Sequence, residues 1–308
     1  MHLYWRLSVI LCFTMLIDGG SCYAQSTGVK PRIIPSIFTN DLISIFVKYN
    51  DDTLKIYTDT GGKNFLYKTG RKKVKISRCH RNLWNELNFD TILLNQGLPP
   101  SYFKTLYYSK DDVNNHDGMF GREWCANKVW TIDYEQEEIF NGVYDMVSTS
   151  STSLFFKKDS LGNVLTALPR MEVIIDGDTL SFLLDTGAQA RLSVNVQKRV
   201  QLDEFEAISF IERSTFDKWK TSHPNWLIIE KADMSYGLNA SMIQVPSIKI
   251  GERTIHSIWF VVRDDSNFEV MSNFFMDKKI IGAFGGNGLA KLGVITIDYK
   301  NEVLSTFN

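Results

Sequence analysis

Residues 47–66 read VKYNDDTLKIYTDTGGKNFL, and residues 173–192 read VIIDGDTLSFLLDTGAQARL. The two stretches align without a gap at a constant offset of 126, and eight of their twenty positions are identical. About one identity would be expected by chance at average residue frequencies. A second pair follows in the same order, since residues 129–134 read VWTIDY and residues 294–299 read VITIDY. The chain is therefore predicted to consist of two halves built on one plan.

Each copy of the repeat has the pattern of a β-hairpin. Apolar and β-branched residues alternate with polar ones along 44–49 and 53–57, and again along 171–175 and 179–184. Both pairs of runs flank short turns rich in Asp, Asn and Gly, which are the residues that hairpin turns favour. A third hairpin is predicted at 248–262. Each half is therefore expected to be built mainly from antiparallel strands.

Helical periodicity is scarce, and the best short candidates are 82–89 and 195–200. We therefore predict a mainly all-β fold with few short helices. Its first lobe spans residues 25–147 and its second spans 161–308, facing each other across a cleft. The Ser/Thr-rich start of residues 148–160 favours a connection between the lobes.

The chemistry-bearing motif is repeated along with the strands. Asp59-Thr60-Gly61 and Asp185-Thr186-Gly187 each follow an apolar strand, and a given tripeptide would occur only about 0.06 times by chance in a chain of this length. Two carboxylates held close together cannot both ionise cheaply, so they share one proton. One could then deprotonate a bound water while the other donates to the carbonyl oxygen of a bound peptide. The glycines would allow close approach, and the threonine hydroxyls could tie the two loops together.

These motifs resemble those of the aspartic proteases, whose pepsin-like members have two Asp-bearing lobes and whose retropepsin members build the same site from two subunits. In that family an apolar pair and a glycine cross behind each Asp loop, and the candidates here are Met119-Phe120-Gly121 and Ile280-Ile281-Gly282. The resemblance implies a two-lobed acid-protease-like β-barrel fold with pseudo-twofold symmetry. It also implies an endopeptidase that acts on a protein or peptide substrate through Asp59 and Asp185, as a monomer and without a metal or cofactor.

The sequence departs from the family pattern beside both aspartates. Gly62 and Ala188 replace residues whose hydroxyl would hydrogen-bond the outer carboxylate oxygen. The first lobe also lacks the Tyr-Gly signature of a flap over the substrate, since Tyr102, Tyr107 and Tyr108 have no adjacent glycine. The alternative hypothesis is therefore a catalytically silent module that binds a peptide or glycan in the same cleft.

A Tyr-Gly pair does occur in the second half, at Tyr236-Gly237. It lies between Asp185 and Gly282, which are 97 positions apart, whereas Asp59 and Gly121 are 62 apart, and inserted loops on a rigid β scaffold often carry specificity. We expect Ser235-Tyr236-Gly237 to form part of a mobile wall or flap over the aspartates. Equally, the insertion could pack on the outside of the lobe and only stabilise it.

The N-terminus has the features of an export signal. Arg6 precedes an apolar run at 7–17, and small residues follow before Gln25, which predicts a signal peptide at residues 1–24. A second interpretation takes Gly20-Ser21-Cys22 as the end of a lipoprotein signal, which would leave Cys22 lipidated. The protein is accordingly expected to be secreted, periplasmic or attached to the cell envelope.

Composition limits the partner classes. The chain is 44% hydrophobic and 22% charged, and its formal net charge is −1. Because the charges nearly cancel, the net charge does not favour binding to nucleic acid. After residue 24, no apolar stretch approaches the roughly 20 residues that a membrane-spanning helix needs. Once a signal is removed, Cys79 and Cys125 remain, either as one disulfide or as two separate thiols.

Overall fold

The computed structural model describes residues 33–49, 51–74, 115–143, 147–237 and 239–307, apart from the side chain of Tyr236, and the backbone of five short strands between residues 79 and 107. The predictions for residues 1–24, including Cys22, lie outside the described residues. Within the described part, the first half contains these strands: β1 (Ile33–Ile34), β2 (Ser36–Thr39), β3 (Leu42–Tyr49), β4 (Asp52–Thr58), β5 (Phe65–Leu66), β6 (Cys79–Arg81), β7 (Leu87–Phe89), β8 (Ile92–Leu93), β9 (Tyr102–Phe103), β10 (Leu106–Tyr107), β11 (Gly118–Phe120), β12 (Val129–Asp133) and β13 (Glu138–Asn141).

The remainder of the chain contains these strands: β14 (Ser150–Ser153), β15 (Phe155–Lys158), β16 (Val164–Ile175), β17 (Asp178–Asp185), β18 (Gln189–Arg191), β19 (Phe205–Ala207), β20 (Ser209–Glu212), β21 (Ile228–Asp233), β22 (Ala240–Ile250), β23 (Arg253–Arg263), β24 (Gly282–Gly285), β25 (Val294–Asp298) and β26 (Val303–Thr306). The α-helices of the described residues are α1 (Lys68–Val74), α2 (Arg122–Cys125), α3 (Val194–Val200), α4 (Arg213–Ser222), α5 (Asp265–Phe275) and α6 (Gly286–Leu289). Two 3-10 turns lie at Ser235–Gly237 and Ala290–Leu292. The prediction of a mainly β fold with few short helices is confirmed.

The two predicted hairpins form with the same register. In the first, β3 pairs with β4 so that Val47 lies opposite Leu54. In the second, β16 pairs with β17 so that Val173 lies opposite Leu180, the residues found 126 positions later. Val47, Leu54 and Val173 are buried and Leu180 is half-buried, so both hairpins turn the same face toward the core. The third predicted hairpin also forms, as β22 and β23, and is longer than its sequence pattern indicated.

Each hairpin belongs to a sheet of eight strands. The first sheet has the order β2, β3, β4, β11, β5, β10, β7, β6, and the second has the order β15, β16, β17, β24, β20, β23, β22, β21. Strand β4 in the first sheet and strand β17 in the second lead into the aspartate loops. Each has an antiparallel neighbour on one side and a parallel neighbour on the other. The parallel neighbour is β11 in the first sheet and β24 in the second. The element order around the two loops therefore corresponds. The pseudo-twofold relation of the complete lobes stays a prediction.

A third sheet takes strands from both halves, in the order β1, β13, β12, β25, β26, β14. At its centre β12 pairs antiparallel with β25, and Thr131 lies opposite Thr296 with their hydroxyl oxygens 2.8 Å apart. These are equivalent residues of the second repeated motif. The largest apolar cluster of the described residues also draws on both halves, for example through Trp130 and Ile295.

Three local predictions are corrected or refined. The helix predicted at 82–89 is wrong at its end, since Leu87–Phe89 is strand β7, and residues 82–86 lie outside the described part. The helix predicted at 195–200 is confirmed as α3. The connection at 148–160 is more than a linker, because its Ser/Thr-rich segment forms β14 and pairs with β26 in the third sheet.

Two further findings concern the cysteines and the membrane. Cys125 is a buried free thiol, which favours separate thiols over a disulfide. Among the described residues, no helix has the length and apolar character needed to cross a bilayer.

Candidate active site

The two aspartate loops meet between the halves of the molecule. Strand β4 leads directly into Asp59, and strand β17 ends at Asp185. Each loop closes with a tight turn, since the Gly62 N–H donates to the Asp59 carbonyl oxygen at 3.1 Å and the Ala188 N–H donates to the Asp185 carbonyl oxygen at 3.2 Å. The structure thus brings both predicted catalytic residues to one place.

The two carboxyl groups are close enough to interact, since each changes the pKa of the other. The Gly61 N–H donates to Asp59 Oδ1 at 2.8 Å, and the Gly187 N–H donates to Asp185 Oδ1 at 3.1 Å. Both aspartates are half-buried residues whose carboxyl groups are enclosed by protein. The backbone therefore fixes one oxygen of each carboxyl group and leaves the pair to share a proton.

Glycine is required beside each carboxyl group because the loops approach so closely. A Cβ atom at Gly61 would lie only 2.6 Å from Asp185 Cγ, and a Cβ atom at Gly187 would overlap the carboxyl group of Asp59. Real Cβ atoms essentially never come this close to another heavy atom. The predicted role of Gly61 and Gly187, to permit the approach of the loops, is thus matched by the geometry.

Burial and mutual repulsion act on the two carboxyl groups unequally. Burial raises the pKa of Asp59 above its usual value, although hydrogen bonds from Asp185, Gly61 and Gly62 oppose the rise. The pKa of Asp185 is raised well above its usual value, first by burial and then by the charge and hydrogen bond of Asp59. The pair is therefore expected to titrate as a unit that retains one shared proton above the pH at which an ordinary aspartate ionises.

Thr60 and Thr186 connect the two loops reciprocally. The Thr60 N–H donates to Thr186 Oγ1 at 3.1 Å, and the Thr186 N–H donates to Thr60 Oγ1 at 3.0 Å. The Thr60 hydroxyl also donates to the Leu184 carbonyl oxygen at 2.8 Å, on the strand that leads to the opposite aspartate. Both threonines are almost completely buried. The hydroxyl groups therefore hold the two carboxyl groups in a fixed relation.

A glycine backs each aspartate loop, but in the second half it is not the one predicted from sequence. Gly121 directly follows Phe120, whose carbonyl oxygen accepts the Asp59 N–H at 2.8 Å. The corresponding partner of Asp185 is Gly285. The assignment to Ile280-Ile281-Gly282 was therefore wrong by three residues.

Strand register explains the error. Gly282 pairs with Phe182, well before the aspartate, and the true counterpart of Met119-Phe120-Gly121 is Ala283-Phe284-Gly285. Both backing glycines then precede a short helix, α2 or α6. The apolar character of the isoleucine pair favoured the wrong triplet, and only the pairing of the strands distinguishes the two.

The residues after the two Asp-Thr-Gly motifs lie in different surroundings. A Cβ atom at Gly62 would overlap the terminal methyl of Met119 and come within 2.7 Å of Asp59 Oδ2. Met119 therefore occupies the space that a longer side chain at position 62 would need. Ala188 is buried, and its methyl group packs near Gly285.

Two residues near the aspartates were missed by the sequence analysis. The Tyr57 hydroxyl donates to the Gly187 carbonyl oxygen at 2.8 Å, which links strand β4 to the second aspartate loop. His116 lies against the Tyr57 ring, and its Nε2 is 2.8 Å from Ser44 Oγ. Alternation along β4 places Tyr57 on the same side as Asp59 and could have identified it. His116 comes from a distant part of the chain, so no local pattern indicated it.

The predicted flap residues Tyr236 and Gly237 lie in the 3-10 turn that begins at Ser235. This turn is anchored near the exit of the second Asp loop, since the Arg191 N–H donates to Ser235 Oγ at 3.0 Å. Gly237 is exposed and has a φ of 74°. The side chain of Tyr236 lies outside the described residues, so a wall over the carboxyl groups stays a prediction. The first-half segment with Tyr102, Tyr107 and Tyr108 is described only in part, as backbone.

No protein-family model matches this chain, and no curated protein matches it either. The functional argument therefore depends on the geometry of the aspartate pair and on the repeated sequence that produces it.

Proposed function

We propose that the protein is an aspartic-type endopeptidase that hydrolyses peptide bonds with a water activated by Asp59 and Asp185. The observation that carries the proposal is the close approach of the two aspartate carboxyl groups, which two repeated loops hold together through Thr60 and Thr186. An enclosed carboxyl pair is costly for the folded protein. Such an arrangement is expected where its chemistry is used.

In the proposed mechanism, the two aspartates have distinct roles at the start of the reaction. Asp59 is ionised and accepts a proton from the water as its oxygen attacks the peptide carbonyl carbon. Asp185 is protonated and donates its proton to the carbonyl oxygen, which gives a neutral tetrahedral diol. The proton now on Asp59 passes to the amide nitrogen as the C–N bond breaks, and one diol hydroxyl returns its proton to Asp185. The pair ends in its initial state, and no covalent bond to the enzyme forms.

The test is a digest of a peptide library between pH 3 and pH 8 by the wild-type protein and by the Asp59→Asn variant. We expect the wild type to cleave and Asp59→Asn to lose at least about 1,000-fold in kcat/KM, because the water loses its base. A statine-type transition-state mimic should inhibit the wild type. Asp51→Asn is a matched control, since Asp51 is an exposed turn residue of the same hairpin. Equal cleavage by Asp59→Asn and wild type would refute the mechanism.

The second candidate function is a silent module that binds a peptide or glycan in the same cleft. It is favoured by the absence of a hydroxyl side chain at Gly62 and Ala188, beside the two aspartates. Absence of cleavage at every pH, together with intact folding and measurable peptide or glycan binding, would select this candidate.

We propose that the protein acts outside the cytoplasm. The support for this location is the signal peptide predicted at residues 1–24. N-terminal sequencing and mass spectrometry of the mature protein would test it. A start at Gln25 is expected for simple secretion, whereas a start at Cys22 with added acyl mass would indicate a lipid anchor. We expect the secreted protein to act as a monomer on protein or peptide substrates.

A further inference from the structure

A cavity of about 340 Å³ opens at the first hairpin, near the aspartate loops. Its wall includes Lys55 and Tyr57 from β4, and Gln189, which lies four residues beyond Asp185. Lys55, Tyr57 and Asp59 alternate along one strand and its extension, so they share a face of the sheet. The cavity has the size of a typical ligand pocket, for which about 300–1,000 Å³ is usual.

Tyr57 connects the cavity to the aspartate loops. Tyr57 in its wall donates a hydrogen bond to the Gly187 carbonyl oxygen, and Gly187 touches the carboxyl group of Asp59. A peptide whose scissile bond lies over the carboxyl pair would therefore bring a neighbouring side chain to this cavity.

The charge of the cavity comes from Lys55. None of the described residues that line it is acidic. Lys55 is partly buried, and within the described part of the chain its ammonium group has no hydrogen bond and no ion pair. Asp117 contacts only the Lys55 backbone N–H, at 2.9 Å, and its carboxylate is paired with Lys73 at 2.7 Å.

Three other polar side chains of the wall, those of Ser44, Tyr57 and His116, already have hydrogen-bond partners. His116 is bonded to Ser44, and the Tyr57 hydroxyl is bonded to Gly187. An ammonium group in the wall of a cavity without a partner of its own attracts an anionic group, and a carboxylate forms the strongest hydrogen bonds with it. Leu42 and the Phe205 ring add apolar surface that would hold the methylene groups of a glutamate side chain.

We propose that this cavity is a specificity pocket for an acidic side chain of the bound peptide, with Lys55 as the residue that selects it. The inference rests on the proposed function, because it assumes that the bound peptide runs across the two aspartates. It does not require that the peptide be cleaved.

The test measures binding and cleavage separately. The Asp185→Asn chain, which retains the cleft but lacks the proton donor, is used to select from a displayed library of peptides with amidated C-termini. We expect enrichment of Glu or Asp by about 10-fold or more at one position, as for sites in which the loss of a ligand group leaves a buried partner unpaired. Amidation removes the terminal carboxylate, so a parallel library with free C-termini shows whether that group is bound instead.

Variants of Lys55 then locate the source of the preference. Lys55→Gln in the same background should abolish the enrichment, and Lys55→Glu should replace it with enrichment of Lys or Arg. Lys48→Gln is the matched control, since Lys48 is an exposed lysine of the same hairpin and does not line the cavity. Melting temperatures of all variants show that they are folded. If the Lys55 variants fail to fold, calorimetric Kd values of matched Glu and Gln peptides for the Asp185→Asn chain give the same answer without them.

The outcomes distinguish this inference from the proposed function. Lys55-dependent binding of acidic peptides without cleavage by the wild type would support the pocket and refute the endopeptidase. Cleavage by the wild type without an acidic preference at any position would support the endopeptidase and refute the pocket. Selection of free C-termini alone, a preference that survives Lys55→Glu, or no peptide binding at all would each overturn the proposed pocket.

Discussion

The carboxyl group of Asp185 illustrates how the site affects stability at the scale of a single residue. Its pKa in the folded protein is raised well above the usual value by burial and by Asp59. The folded state therefore binds this proton more tightly than the unfolded state does. Between the pKa of an unfolded aspartate, about 3.9, and the raised pKa of the folded state, stability falls as the pH rises.

We predict that Asp185→Asn increases stability and abolishes activity. Asparagine cannot ionise, so the variant avoids the penalty that the wild type incurs at neutral pH. At pH 7 the melting temperature should rise by about 2 °C or more, the shift expected for roughly 1 kcal/mol in a chain of this length. The gain should disappear below about pH 3.9, where the wild-type carboxyl group is protonated in both states. Calorimetric melts at pH 3.5, 5 and 7 measure it, and a stability gain that is independent of pH would show that ionisation of Asp185 is not its cause.

At the scale of elements, the two aspartate loops depend on each other through buried hydroxyl groups. Thr60 Oγ1 accepts a hydrogen bond from the Thr186 N–H and donates one to the Leu184 carbonyl oxygen. Removal of this hydroxyl leaves a buried donor and a buried acceptor without their partner. Each such group costs about 1–3 kcal/mol.

We predict that Thr60→Val lowers the free energy of unfolding by about 2–4 kcal/mol, whereas Thr60→Ser changes it by less than about 1 kcal/mol. Valine keeps the shape of threonine but neither bond, while serine keeps the hydroxyl group. Urea denaturation measures both variants, and kcat/KM should fall with Thr60→Val because the carboxyl groups lose their fixed relation. Equal stability of the two variants would show that the hydroxyl bonds contribute little.

The sequence predicted those elements that local pattern determines. The repeated hairpins and the pairing of Asp59 with Asp185 follow from alternation and from a motif present twice, and both appear in the structure. The backing glycine of the second loop was misassigned because Gly282 and Gly285 both end apolar triplets, and only strand register separates them. Residues that reach the site from distant segments, such as His116, left no local signal.

At the scale of the whole molecule, the two halves share a sheet. Strand β12 pairs on one side with β13, which belongs to the same half, and on the other side with β25, which belongs to the second half. Five consecutive residues pair across the junction, and Thr131 bonds to Thr296 within it. Separation of the halves would expose two strand edges and the apolar residues that line them.

We predict from this shared sheet that the halves unfold together. Opening either half alone would break the β12–β25 ladder and expose a cluster that includes both Trp130 and Ile295, so a half-folded species should be too costly to accumulate. Calorimetry should give one transition whose van't Hoff and calorimetric enthalpies agree. Hydrogen exchange should give the same global opening free energy for β12 and for β17. Thr131→Val, which removes the bond at the centre of the junction, should lower both values by the same amount, about 1–3 kcal/mol. Two resolved transitions, or a loss confined to one half, would mean that the shared sheet joins the halves without coupling their stability.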